Sequence, residues 1–342
     1  MDYNLKYLKY LNLKNSKIKG GKNKITYPDG TYYEGDINNG IKEGKGKHTW
    51  INGSYYEGEW KNNKRDGKGK MFYSNGAIYE GEFKNGRKEG IGKHITNQGW
   101  IYEGEWEKGK KNGNGKFTNF PLIYIDITLN FYTYKNSVYE GEWKNNKFNG
   151  KGKITYTDRS DSNIEYYDGQ WKNGLPNGQG KIIDQDVYIY EGEFKNGEFD
   201  GQGKYTYSDG SFYEGSFKDS SFYGKGVKTS SDGSFHEGEY KNGNKEGVFK
   251  INNYYYNIYK HDTLIIKVPI NLNKLNIDQH NKLYKILKEV ESKIYNVKNE
   301  QIFKLDSLGY EMMKKIYKEV FKLSNQDEKK IKEIKKDFYI NI

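Results

Sequence analysis

The sequence contains no cysteine, which excludes disulfides, thiolate zinc sites and a cysteine nucleophile. It has no apolar run near the roughly 18–20 residues of a membrane-spanning helix. Met1 to Leu13 interleaves Lys with Tyr and Leu, which is not the pattern of a secretory leader. Aliphatic residues are scarce. The apolar fraction is 34%, against roughly 45–50% in an ordinary globular domain, so a large aliphatic core is excluded. Aromatic residues are nevertheless abundant, with 34 Tyr, 16 Phe and 6 Trp. That excludes a simple disordered chain, which is normally poor in aromatics. The formal charge is +11, and it is unevenly spread. Residues 1–21 hold five Lys and one Asp, and residues 251–342 hold 18 Lys and 12 acids. The stretch between them holds 34 bases and 33 acids. The basic balance therefore describes the two ends.

What fills that middle stretch is a repeat. Tyr33-Glu34-Gly35-Asp36-Ile37 recurs as Tyr56-Glu57-Gly58-Glu59-Trp60, and again from Tyr79, Tyr102, Tyr139, Tyr167, Tyr190, Tyr213 and His236. The motif glycines, at 35, 58, 81, 104, 141, 169, 192, 215 and 238, step by 23 residues except for steps of 37 and 28. A second glycine follows each by nine residues and in eight copies opens a Gly-x-Gly; the ninth reads Gly247-Val248-Phe249. Asn-Gly turn signals such as Asn85-Gly86 and Asn196-Gly197 lie between the halves.

Each copy reads as a β-hairpin. Alternation puts Tyr56, Gly58 and Trp60 on one face and Glu57 and Glu59 on the other. The Asn/Gly stretch supplies a turn that tolerates positive φ. A lone hairpin is not stable in water, but stacked hairpins share a core. The glycines read as clearance for rings, so the core is a line of aromatics on a glycine floor. Three rows follow. The first is Tyr56, Tyr79, Tyr102, Tyr139, Tyr167, Tyr190, Tyr213 and His236. The second is Trp60, Phe83, Trp106, Trp143, Trp171, Phe194, Phe217 and Tyr240. The third runs from Ile25 through His48, Met71, His94, Phe117, Ile154, Ile182 and Tyr205 to Val227 and Phe249. Tyr259, 23 residues after His236, extends the first row into a degenerate closing hairpin over residues 251–268.

These residues resemble the MORN (membrane occupation and recognition nexus) repeat family, whose pattern is YEGEWKNGKRHGKG. The resemblance covers residues 21–250 in nine copies and implies a mainly β fold, an elongated single-layer antiparallel β-hairpin repeat with a shallow groove. The organisation expected is a basic extension at 1–20, repeats over 21–250 with an insert near 120–133, the closing hairpin, and a helical region at 269–342. The insert, from Phe120 to Thr133, is apolar and β-prone. It reads either as an extra β-hairpin or a lengthened loop folded onto the sheet, or as an exposed docking element. The five extra residues near Asp158 to Asn163 read as a longer loop. In the tail, Leu283, Leu287, Val290, Ile294 and Val297 form a helical stripe. Met313, Ile316, Val320 and Leu323 form a second after Ser307, and Ile331, Ile334 and Phe338 a third after a capping box at Ser324–Asp327. Such helices either cap the sheet edge or bind a partner, including a second copy in a homodimer.

Nothing in the pattern points to an enzyme. The repeated carboxylates, such as Glu57/Glu59 and Glu191/Glu193, read as ladders facing Lys68 and Lys70, since a catalytic pair would be singular and set in a cleft. His48 and His94 read as packing, without the convergent ligands a metal needs. His236 replaces a motif Tyr, and His261 and His280 are isolated. The Gly-x-Gly lacks the remainder of a phosphate loop. No catalytic residue, cofactor or metal is expected, and residues 251–342 are too short for the lipid kinase domain found beside some MORN repeats. The resemblance implies an intracellular, cytoplasmic scaffold, peripheral to membrane or cytoskeletal structures, that holds a partner's helix or peptide. The expected groove residues are Tyr56, Trp60, Tyr79, Phe83, Tyr102, Trp106, Tyr139, Trp143, Tyr167, Trp171, Tyr190, Phe194, Tyr213 and Phe217. The alternative is a peripheral binder of anionic phospholipid such as a phosphoinositide, through Lys6, Lys9, Lys14, Lys17 and Lys19 or through Lys282, Lys285, Lys288 and Lys293. Nucleic acid is not expected, because the aromatic and basic residues of the repeats do not share a face.

Overall fold

The computed structural model describes residues 23–125, 131–156, 165–184, 187–252, 255–268 and 275–295, with short pieces at 16–17 and within 311–320. The chain divides into two compact units, residues 1–178 and 179–342. Both are open antiparallel sheet built from consecutive hairpins, one hairpin per repeat.

The second repeat shows how the sequence makes each hairpin. Strand Tyr55–Lys61 pairs with Lys64–Phe72 around Asn62 and Asn63, whose φ values are 50° and 65°. Positive φ at both central residues is the turn whose twist matches the flanking strands, which is why Asn and Gly occupy it. Gly67 has φ 98°, and the register shifts between Gly58 and Trp60, the mark of a β-bulge. Beyond the bulge, Gly58 stands opposite Gly69, and Gly69 opposite Gly81 of the next hairpin. Glycines thus line up across the first unit from Gly35 to Gly104, and across the second from Gly192 to Gly238.

The core of each unit lies on that floor. Every Tyr of the first row is fully buried or nearly so. A Cβ on Gly69 would come within 2.2 Å of the Tyr56 hydroxyl, so only glycine admits the ring. The Tyr56 ring meets Trp60 edge-on at 5.2 Å and Phe83 of the next hairpin at 5.0 Å, a favourable arrangement of aromatic quadrupoles. Its hydroxyl donates to the Glu59 carbonyl at 3.0 Å, and the Trp60 indole N–H donates to the Gly46 carbonyl at 3.0 Å. The polar tips are thereby satisfied within the core.

The insert lengthens a hairpin. Strands Lys110–Ile125 and Phe131–Lys144 stay paired as far as Ile125 opposite Phe131. Phe120 is buried against Phe117, stacked at 4.4 Å. The expected loop at Asp158 to Asn163, the stripe residues Val297, Met313 and Leu323, and the third helix lie outside the described residues.

In the second unit the strands Tyr255–Lys260 and Thr263–Val268 form a closing hairpin. Helix α1 (Ile277–Tyr295) packs on it. Asn276 and Gln279 cap the helix reciprocally, each side chain accepting the other's backbone N–H at 2.9–3.0 Å. Leu283, Ile286, Leu287, Val290 and Ile294 bury their stripe against Val248, Tyr256, Ile258, Ile266 and Val268, joined by Met312, Ile316 and Val320. Each fully buried aliphatic side chain contributes roughly 1.5–3 kcal/mol.

Two expectations of register are corrected. Lys228 and Ile251, not Val227 and Phe249, pair with His236 and so hold the third row. Val227 faces Glu214 and Glu237 on the opposite side of the sheet. Tyr259 lies opposite Gly247, the place a Trp or Phe of the second row takes elsewhere. The connection after the ninth repeat is four residues shorter than the period, so counting 23 places Tyr259 in the wrong row.

Candidate functional site

The two faces of the sheet have different chemistry. In the first unit a groove of about 980 Å³ is lined by Glu34, Asp36, Lys47, Glu57, Lys70 and Ile91, with Gly46, Gly58, Gly69 and Gly81 along its floor. None of the row-one or row-two rings lines it. A second groove, in the second unit, is of about 910 Å³ and includes Ile189, Glu191, Lys204 and Phe212.

The fourteen expected groove aromatics, from Tyr56 and Trp60 to Tyr213 and Phe217, all lie on the other face and are at most 7% exposed. Alternation assigned their face correctly, but the rings on it are covered. In every repeat but the sixth, the residue two places before the second glycine folds down over the ring row. In repeats one to four this residue is Lys42, Arg65, Lys88 or Lys111. The Lys88 ammonium lies 4.5 Å from the ring centres of both Tyr79 and Trp106, and that of Lys111 3.7 Å from Phe117 and 4.7 Å from Trp143. In repeats five, seven and eight it is Phe148, Phe199 or Phe222, each stacked on its Tyr at 3.8 Å. The position is fixed by the next hairpin, whose turn N–H donates to the lid residue's carbonyl, as from Gly109 to Lys88 at 2.8 Å. The row-one and row-two rings are therefore not themselves open to a partner.

The carboxylates are occupied by the fold. The first Glu of the motif pairs with a cross-strand Lys, as Lys70 with Glu80 at 3.1 Å and Lys24 with Glu34 at 2.8 Å, and Lys93 with Glu103. The second accepts the N–H just past the bulge glycine, as Asp36 from Lys45 and Glu142 from Lys151, both at 2.8 Å. A third acid, before that glycine, caps the next turn, as Asp66 does for Asn85 at 3.0 Å.

Burial sets the titration. Tyr56 is pushed up to about 12 by desolvation, and the other row-one phenols lie higher still. Desolvation brings Lys42, Lys88 and Lys111 down to about 8. His48 and His94 fall to about 4, by burial first and then by the neighbouring lysines. His48 is buried, with Nδ1 3.0 Å from the Lys42 ammonium. Among the described residues, no group of three His, Asp or Glu side chains could hold a metal.

Nine segments match the family model described as MORN repeat: residues 33–55, 56–78, 79–100, 102–119, 139–160, 167–186, 190–212, 213–235 and 236–248. The chain belongs to the MORN-repeat family. That family is associated with membranes and phospholipids and is generally non-enzymatic. No curated protein matches this MORN-repeat protein. Among its described residues no helix is long and apolar enough to cross a membrane.

Of the lysines expected at a lipid surface, Lys6, Lys9, Lys14 and Lys19 lie outside the described residues, and Lys17 sits in a short strand opposite Asn23. On α1, Lys282 pairs with Asp278 at 2.7 Å and Lys288 with Glu291 at 2.9 Å, while Lys285 and Lys293 are exposed. Sequence reasoning missed the lids. The signal was there, in the residue two places before each bulge glycine, but its identity shifts between Lys, Arg, Phe and Pro.

Proposed function

We propose that this MORN-repeat protein is a non-enzymatic adaptor whose Lys/Glu face holds a helix or extended peptide of a partner protein, at a membrane- or cytoskeleton-associated structure inside the cell. The observation that carries the reading is the groove of the first unit. Its glycine floor leaves backbone bare between two ladders, each alternating acid and Lys from strand to strand, and Ile91 stands 60% exposed beside it. The chain itself supplies the precedent. At the ninth repeat Val248 holds the place of Ile91, and an amphipathic helix, α1, covers it. The mixed charge gives specificity and register to a partner more than raw affinity.

Affinity capture with the full chain, compared with an Ile91→Glu/Lys70→Glu variant, tests this. A stoichiometric protein partner lost in the variant supports the reading. No stoichiometric partner, or one indifferent to the variant, sinks it.

A second reading is peripheral binding to anionic phospholipid. It is favoured by the family's association and by the exposed Lys285 and Lys293. Basic groups at such a surface contribute about 1 kcal/mol each. Sedimentation with vesicles containing phosphatidylserine or phosphoinositide tests it, and retention unaffected by Lys285→Glu/Lys293→Glu would remove it. Light scattering on the full chain decides whether the protein also forms a homodimer.

A further inference from the structure

On the Lys/Glu face, lysines stand beside glutamates. The aromatic face of repeats one to four differs. Lys42, Arg65, Lys88 and Lys111 recur once per repeat, each over a Tyr and a Trp or Phe ring. Among the described residues, no carboxylate forms a salt bridge with any of the four. Arg65 donates to the Gly86 carbonyl, and Lys42 contacts His48. All four are half-buried. The Lys42 end opens on a cavity of about 520 Å³, whose Asp29 is engaged by the Thr31 N–H and hydroxyl.

Closing the ring row does not require charge. Phe148, Phe199 and Phe222 do so at the same position with a stacked ring. Cations there carry a desolvation penalty, visible in the lowered lysines, and gain only about 0.5–2 kcal/mol from a ring face. A row of four desolvated cations without counter-charge is complementary to an anionic occupant. Their spacing is two strand separations, roughly 9.6 Å. A polyproline II chain advances about 9.3 Å per three residues. Recessed among rings, the cations are open to side chains that enter one by one, and less so to a flat lipid surface.

We propose that the aromatic face of repeats one to four is a second binding site, for an extended acidic peptide whose carboxylates, at every third residue, become the counter-charges of Lys42, Arg65, Lys88 and Lys111. The site is separate from the groove of the opposite face.

The probe is a labelled peptide of Glu-Pro-Pro repeats, with a Gln-Pro-Pro peptide as control, titrated into the full-length protein by fluorescence anisotropy. The Glu peptide should bind at least tenfold more tightly than the Gln peptide. That preference should vanish in a Lys42→Phe/Arg65→Phe/Lys88→Phe/Lys111→Phe variant, which keeps a lid of the kind repeats five, seven and eight use. Should that variant not fold, the singles Lys88→Phe and Lys111→Phe should each lower the affinity two- to fivefold. A Lys153→Gln variant, on the opposite face and outside its groove, should leave it unchanged. No preference for the Glu peptide in the native protein, or a preference that survives the lid variants, overturns the proposal. So does lid-dependent binding of phosphatidylserine vesicles without a peptide preference, which would make the occupant a membrane.

Discussion

The second and ninth repeats solve one packing problem in two ways. In the second, the ring comes from Tyr56 and lies over Gly69. In the ninth, the Tyr is His236 and the last glycine of Gly-x-Gly is Phe249. A Cβ on Gly238 would meet the Phe249 ring at 2.6 Å. The ring has moved to the return strand and the glycine beneath it to the outgoing one. Neighbours see the same object: Tyr240 meets Phe249 at 5.1 Å and 87°, as Trp60 meets Tyr56 at 5.2 Å and 83°. The fold therefore demands one ring per glycine floor, from either strand. The other face changes too. Where most repeats put charge, the last strands carry Val248, Tyr256 and Ile258, and a helix covers them.

The sharpest way to break the comparison is to convert the ninth repeat to the ordinary form. Phe249→Gly alone empties a fully buried site and should cost about 3–5 kcal/mol. His236→Tyr alone places a second ring where Phe249 already sits and should cost about 1–3 kcal/mol. Together they rebuild the Tyr-over-glycine arrangement, so the double variant should recover more than half of the summed loss. Urea unfolding of the four proteins gives the coupling. Additive costs would show that the two rings are not interchangeable.

A smaller effect separates the two kinds of glycine. A Cβ at Gly58 would lie 2.4 Å from the Gly69 Cα, whereas one at Gly76 meets nothing within 4 Å. Gly58→Ala should cost about 3 kcal/mol, because backbone must move. Gly76→Ala carries only the strain of its φ of 90°, about 1 kcal/mol. Equal midpoint shifts in urea would refute the glycine-floor account.

Smaller again is the helix contact on the ninth repeat. The Glu291 carboxylate of α1 sits against Gly247, as Glu59 sits against Gly67 in the second repeat. Glu291→Ala should cost about 1 kcal/mol, the usual net value of such a polar contact. Hydrogen exchange across residues 244–251 and 277–295 should rise in that variant. Unchanged exchange would mean that the apolar stripe alone seats the helix.

The legible parts of this architecture were those fixed by spacing. Glycines at 23-residue intervals set the hairpins, the Asn-Gly turns and the face shared by Tyr56 and Trp60. Where a row was assigned by residue type instead, or the spacing was carried past the ninth repeat to Tyr259, the assignment failed. Val227 and Phe249 are apolar and drew the third row, yet the period leads to Lys228 and Ile251, which is where the strands place it. The groove was expected along the aromatic rows because the family resemblance implied a shallow one. What covers those rings is a side chain from the return strand whose identity varies, so no single residue type marked it. The helical stripe of Leu283, Leu287, Val290 and Ile294 was plain, but which face it would cover depended on Val248, at the variable place of the ninth Gly-x-Gly, together with Tyr256 and Ile258 of the closing hairpin.

Titration separates the repeats with cationic lids from those with phenylalanine lids. His48 and His94, at about 4 in the folded protein, return to an ordinary value near 6.5 on unfolding. Between those values the unfolded chain binds more protons, so stability falls as pH drops from about 6.5 towards 4. Lys42, Lys88 and Lys111, at about 8 when folded, return to about 10.4. Between those values the unfolded chain again binds more protons, so stability rises with pH from about 8. The buried phenols oppose this above roughly 10, where unfolded tyrosines ionise and folded ones do not. Stability should therefore peak near pH 9–10. His48→Met with His94→Phe, the residue types at the same row position in repeats two and four, should flatten the acid limb alone. Lys88→Phe with Lys111→Phe should reduce the rise above pH 8 to the part Lys42 supplies and, by removing the charges beside His94, also soften the acid limb. Denaturant midpoints collected from pH 4 to 10 check both, and a native profile already flat between 8 and 10 would mean that the lid lysines are solvated rather than enclosed by their rings.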